Sequence, residues 1–243
     1  MFMLYICMKY CFFDIECCDG EHLCSFGYVI INANFKIVEK KDIVINPEHK
    51  FELGRAGFDP RVNLAYPEDF FYKQAPFPFF YNDIKKLFND SRLVLLGHSI
   101  AADLKYIRRV CKRYNLGQIK VEAFDTQDIY SKFKHDRQTR SLKYIVKDLN
   151  INVANLCEHK SCDDAEMSML VIKEICSKLN KNINELLQVS NSCKRYSGFN
   201  KEAKNYLPHK NHKSKFPCLM PNFEKALAEK GITYEEYIKS LKK

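Results

Sequence analysis

The chain contains no C-x2-C pair, no internal repeat and no apolar run long enough to span a bilayer. The missing C-x2-C pairs exclude the common zinc-ribbon spacings. The missing repeat excludes solenoids and propellers. The apolar start, from Met1 to Met8, is short, lacks a basic leader and is broken by Lys9. It is a poor signal peptide, so nothing predicts a membrane partner. Met8-Lys9-Tyr10 suits the opening of a first strand, which leaves residues 1–7 as a possible artefact of the assigned start. The 11 cysteines are odd in number and read as free thiols in a reducing cytosol, so a cytoplasmic protein is expected.

Hydrophobic residues make up 46% of the 243 positions and charged residues 28%, the balance of a folded globular chain. That length holds one α/β domain and a small appendage. The formal net charge of +9 fits a polyanionic partner, although many unrelated proteins are basic.

Hydrophobic patterning predicts strands over 9–18, 25–31 and 35–45, the last two joined at Asn32-Ala33-Asn34, hence an antiparallel meander. Residues 46–82 carry Pro47, Pro60, Pro67, Pro76 and Pro78 among many aromatics, and read as a packed connection with one or two helical turns. A short helix over 82–88, a strand over 92–96 and an amphipathic helix over 101–114 follow. A strand over 121–124 precedes helices over 142–149 and 163–179, with 184–187 extending the helical part. Strands in a hairpin, then alternating with helices, give a mixed sheet flanked by helices. The boundaries expected are a domain over 8–190, a basic linker over 191–218 and a helical appendage over 219–243. In the appendage Gly231 breaks a hairpin and Thr233 caps its second helix.

Three short stretches carry the chemistry. Asp14 and Glu16 lie two apart in an apolar strand, so they share a face. Paired carboxylates repel unless a cation lies between them, although two solvated acids at a strand end are a common alternative. Gly97-His98-Ser99-Ile100-Ala101-Ala102-Asp103 is a loop after a strand, the usual position of ligand sites in open α/β sheets. Asp103 there also complements a helix dipole. His159 precedes Asp164 by five residues, with Asp163 as an alternative ligand one position off. Cys157, His159 and Cys162 fit no closed zinc site, and Cys193, His209, His212 and Cys218 match no zinc module.

In order and spacing these motifs resemble the DEDDh branch of the DnaQ-like 3′→5′ exonucleases. The resemblance covers roughly residues 9–180: D-x-E at Asp14 and Glu16, the G-H-N-x-x-F-D-like loop ending at Asp103, and H-x-A-x-x-D-A at His159, Ser161, Asp164 and Ala165. It implies an RNase H-like fold with a five-stranded mixed sheet and stepwise release of nucleoside monophosphates from a 3′ end. It also implies two Mg²⁺ or Mn²⁺ ions held by Asp14, Glu16, Asp103 and Asp164, with His159 as general base. Cys17 stands where the family often has Thr, Ser99 where it has Asn and Ala102 where it has Phe. With His98, these are the expected substrate-positioning residues, and the departures bear on how a terminal nucleotide sits.

The expected substrate is a single-stranded or frayed DNA 3′ end, with RNA trimming by the same residues as the alternative. A non-catalytic binding protein on the same fold is a third reading, countered by the presence of all five residues. Arg108, Arg109, Lys112 and Arg113 read mainly as a solvated helix face. Bases and aromatics alternate over 191–218, which suits either a single strand or a loose linker. The appendage leaves room for a polymerase, a helicase or a second copy.

Overall fold

The computed structural model describes residues 8–53 and 63–197, with Gly231, Thr233 and Glu236. Strands β1 (Lys9–Cys17), β2 (Leu23–Ile31) and β3 (Ile37–Val44) form the antiparallel meander. β4 (Leu93–Gly97) and β5 (Glu122–Asp125) then add in parallel to β1. The sheet order is β3-β2-β1-β4-β5-β6, where β6 (Lys194–Tyr196) pairs antiparallel with β5. The RNase H-like mixed sheet is therefore six-stranded, one strand more than the sequence suggested. The extra strand comes from the first residues of the stretch read as a basic linker.

Alternation along β1 builds two cores. Cys11, Phe13, Ile15 and Cys17 face one side, with Phe26 and Ile30 of β2. There they meet α2 (Phe77–Phe88) and α3 (Ala101–Arg113), and the Phe88 ring stands edge-on to Phe13 at 5.1 Å. Tyr10 and Phe12 face the other side, against the apolar stripe Val171, Ile172 and Ile175 of α6 (Ser161–Leu179). Around α6 pack α4 (Thr126–Phe133), α5 (Leu142–Asp148) and α7 (Ile183–Val189). A large buried apolar side chain contributes about 1.5–3 kcal/mol, so these two layers hold the sheet.

Local chemistry sets the helix limits. Helix α2 starts earlier than expected because Pro76 and Pro78 fall at its N-cap and first turn, where a missing N–H costs nothing. A short helix, α1 (Glu68–Tyr72), precedes it. Asn180 ends α6 in the left-handed conformation, φ 51°. Asn182 and Glu185 then cap α7 reciprocally. Thr233 and Glu236 make the same reciprocal bonds, which fits the cap expected there. The rest of the expected C-terminal hairpin and residues 1–7 lie outside the described residues. Every cysteine among the described residues is free, and no described helix is long and apolar enough to cross a membrane.

Gly27 of β2 is the partner of Asp14 in the β1–β2 ladder. The first peptide of α6 lies directly on it: a Cβ at Gly27 would sit 2.0 Å from the Cys162 backbone nitrogen. Ser25, Ser161 and Asp42 fix this approach, the Ser161 hydroxyl donating to Asp42 Oδ1 at 2.8 Å and meeting the Ser25 hydroxyl. Gly27→Ala is predicted to destabilise the fold by about 1–3 kcal/mol, because helix or strand must shift. Denaturant unfolding checks this; an unchanged midpoint would show that the α6 terminus retreats freely.

Candidate active site

The parallel strands end side by side. Phe13 is level with Gly97, and Gly97 with Asp125, so the residues that follow emerge along one edge. Asp14 and Glu16 project there on the face continued from Tyr10 and Phe12, while Phe13 and Ile15 remain in the opposite core. Gly97 is required for contact: a Cβ would meet the Phe13 carbonyl oxygen at 2.7 Å.

Beyond Gly97 the chain turns through Ser99 in a left-handed conformation, φ 54°. Asp125 secures that turn. Its carboxylate accepts from Ser99 N at 3.0 Å and Ile100 N at 3.2 Å, and caps α4 through Gln127 N. The turn delivers Asp103 into the first turn of α3. Asp103 is 5% exposed, and its Oδ2 has no hydrogen-bond partner. Asp125 escaped the sequence reading, as did α4; an Asp after a strand and before Thr-Gln-Asp was their available cap signal.

Two adjacent acids at the start of α6 separate by partner. Asp163 turns to Lys40 and accepts from Cys157 N at 3.1 Å. Although burial opposes it, Lys40 and that bond hold its carboxyl below the usual range. Asp164 instead faces the cluster, and its Oδ2 accepts from His159 N at 3.0 Å. His159, at φ 60°, places Nδ1 3.4 Å from Glu16 Oε1. Donor atoms of Glu16, His159 and Asp164 all lie within 4.8 Å of one another. Asp14, Glu16, Asp164 and His159 thus line an open cleft of about 690 Å³ together with His98 and Leu142, while Asp103 is buried outside its lining, near enough to act on Asp14.

The electrostatics are those of an uncompensated acidic centre. Burial, then Asp103, Glu16 and Asp164, push the Asp14 carboxyl well above its usual range. Burial, then Glu16 and Asp125, do the same to Asp103. Burial and Glu16 raise Asp164 to about 7. Glu16 beside its ring raises His159. Among the described residues, no lysine or arginine forms an ion pair with Asp14, Glu16, Asp103 or Asp164. An orphaned buried oxygen in a set of hard carboxylates fits a divalent cation such as Mg²⁺ or Mn²⁺.

The four expected positioning residues fall in different surroundings. His98 is held within the fold, Nδ1 meeting Thr126 Oγ1 at 3.2 Å and Nε2 the Arg140 carbonyl at 3.1 Å. Burial lowers it to about 4, so it stays neutral. Cys17 is buried, Ser99 and Ala102 are exposed.

Comparison with known proteins bears on the family and the fold. The family described as DNA polymerase III subunit epsilon-like, C-terminal domain (DEDDh), matches residues 27–175. No curated protein matches the sequence. A 3′-exonuclease that recognises the histone mRNA stem-loop superposes with a TM-score of 0.58 at 15% identity, over 72% of this chain and 84% of its own. The nuclease domain of 3′hExo bound to rAMP gives 0.53 at 13% identity, over 76% and 93%. E. coli exonuclease I bound to an oligonucleotide gives 0.56 at 13% identity, over 75% of this chain and 42% of that one. With a family match across more than half its length and the same RNase H-like fold, the chain belongs to the DEDDh family of 3′→5′ exonucleases.

Proposed function

We propose that this exonuclease removes nucleoside monophosphates from single-stranded or frayed DNA 3′ ends by two-metal hydrolysis. One observation carries the reading: Asp14, Glu16, Asp164 and His159 line one cleft, and Asp103 lies close enough to Asp14 to raise it, with one oxygen buried and unpartnered. Two Mg²⁺ or Mn²⁺ ions held by the four carboxylates would polarise the phosphate and stabilise charge on the entering and leaving oxygens.

The chain's own residues do the rest. His159 takes the proton of the attacking water. Glu16, beside Nδ1, makes the imidazole a stronger base by stabilising its protonated form. Asp164 accepts the His159 backbone N–H and so ties the position of the base to that of a ligand. Asp125 holds the 97–100 turn, keeping Asp103 in place. Ser99 and Ala102 lie exposed on that turn and helix, where a terminal nucleotide would seat, with Cys17 and His98 supporting it from behind. Residues 8–190 carry all five proposed catalytic residues, and the segment that follows begins as the edge strand β6.

RNA is the second reading, supported by the RNA-directed and rAMP-bound relatives. Matched DNA and RNA strands, offered with Mg²⁺ or Mn²⁺, distinguish them. The DNA strand is predicted to shorten faster from its 3′ end; a reversed ratio would assign the enzyme to RNA trimming.

Asp14→Ala, Glu16→Ala and Asp103→Ala are each predicted to abolish cleavage and leave the fold intact. His159→Ala is predicted to lower turnover by about 10²–10⁴-fold while still binding Mn²⁺. Calorimetric titration separates the roles: if His159→Ala loses Mn²⁺ affinity as Asp14→Ala does, His159 is a ligand and not a base.

Raised carboxyl pKa values also predict how the metal-stripped protein responds to pH. Folded Asp14, Asp103 and Asp164 keep protons that the unfolded chain releases near pH 4. Their protonated state stabilises the fold, and that contribution is lost as pH rises through the folded values. His98 and His22, both lowered, act oppositely, because the unfolded chain takes up their protons below about pH 6.5. Above that pH only the decline remains, joined by His159. With chelator present, the melting temperature is therefore predicted to fall from pH 6.5 to pH 8 more steeply than from pH 5 to pH 6.5. Excess Mg²⁺ should restore more stability at pH 8 than at pH 6. A flat profile with chelator would contradict the carboxylate repulsion.

A further inference from the structure

A second group of donors lies behind the strand that carries Asp14 and Glu16. Cys18, Asp19 and His22 occupy the turn between β1 and β2, and His49 comes from the segment after β3. The Cys18 thiol, an Asp19 carboxylate oxygen and one ring nitrogen from each histidine all lie within 4.8 Å of one another. The His22 and His49 rings stack at 4.0 Å, nearly parallel at 6°. Both Nδ1 atoms face Asp19 Oδ2, at 2.7 Å and 3.1 Å. Cys18 is fully buried, beside Cys24 and Phe71, so its sulfur is shielded on one side and faces the cluster on the other.

We propose that Cys18, Asp19, His22 and His49 form a structural zinc site, distinct from the carboxylate cluster of the cleft. Thiolate, imidazole and carboxylate are the donors Zn²⁺ takes in closed tetrahedral sites. Bonds of about 2.0–2.3 Å place such donors roughly 3.3–3.7 Å apart, so the two short Asp19 contacts would open by about 0.2–0.6 Å or more and pairs as far as 4.8 Å apart would close by about 1 Å. Hard Mg²⁺ or Mn²⁺ prefers the all-oxygen cluster, and the two sites sort their ions by donor chemistry.

The surrounding bonds hold the donors in place without the ion. Asp19 Oδ1 accepts from Glu21 N and His22 N, closing the turn. The Cys18 backbone N–H donates to the His22 carbonyl at 2.9 Å, and its carbonyl accepts from Glu52 N at 2.9 Å. Arg113 of α3 donates to the Pro47 and Glu48 carbonyls, which precede His49. The ion would clamp the turn after β1 to the segment after β3. Cys18 is two residues past Glu16, so the clamp secures the strand end that carries the first catalytic pair.

The full chain, stripped with chelator under reducing conditions, is titrated with Co²⁺ in excess Mg²⁺, which fills the carboxylate cluster. One equivalent is expected to give tetrahedral d–d bands and a thiolate-to-cobalt charge-transfer band, both removed by Zn²⁺. Cys18→Ser should lose the charge-transfer band. His49→Ala, at a half-exposed position that tolerates truncation, should weaken Co²⁺ binding at least tenfold. Cys218→Ser should leave the spectrum unchanged. Absence of the charge-transfer band in the wild type, its persistence in Cys18→Ser, its loss in Cys218→Ser, or undiminished binding by His49→Ala would each overturn the site. None of these readouts depends on exonuclease activity.

Discussion

The structure turns on one close approach: the first peptide of α6 resting on Gly27. No side chain separates helix from strand there, so the α6 terminus comes down onto the strand beside Asp14. Asp164 leaves that terminus toward the cleft, and His159 is tied to Asp164 by its backbone N–H. The third motif thus reaches the first through a glycine that belongs to neither. The buried Ser25–Ser161–Asp42 hydroxyl contacts supply the polar counterpart, since the α6 terminus would otherwise press unpaired donors into an apolar layer.

Against this attraction stands the repulsion of the carboxylates. Burial and neighbouring acids raise Asp14, Asp103 and Asp164, and no lysine or arginine among the described residues pairs with them. A protein selecting only for stability would put a base here, as it does one residue away, where Lys40 takes Asp163. Lys40 thus assigns the two adjacent acids to different tasks: one neutralised and structural, the other left for the cleft.

The residues proposed as catalytic were legible as candidates in the sequence because hard-ligand chemistry constrains both residue type and strand spacing. Asp14 and Glu16 follow from the two-residue period, and Asp103 from its place in a first helical turn. What holds them was less visible. Asp125 does its work through three backbone N–H groups brought together by the fold, and only its cap of α4 had a local signal. Strand β6 was hidden by composition: Lys194-Arg195-Tyr196 reads as a solvated basic stretch, and nothing local reveals that β5 has an open edge to fill. Helix α2 was expected only over 82–88 because Pro76 and Pro78 fell within a proline-rich connection, although at an N-cap and first turn prolines are compatible with a helix. Gly27 is unremarkable in sequence, since its need for emptiness comes from a helix more than a hundred residues away.

Both outer strands of the sheet carry charged side chains along their length. β3 carries Glu39, Lys40, Lys41 and Asp42, and β6 carries Lys194 and Arg195, paired with Glu122 and Asp128. An open margin offers unpaired backbone groups to any neighbouring chain, and charged side chains are a common way to blunt it. Two molecules meeting margin to margin would have to strip water from these charges before their backbones could join. The cost of that desolvation guards the enzyme against sticking to itself, and it does so without any excess of one sign along either margin.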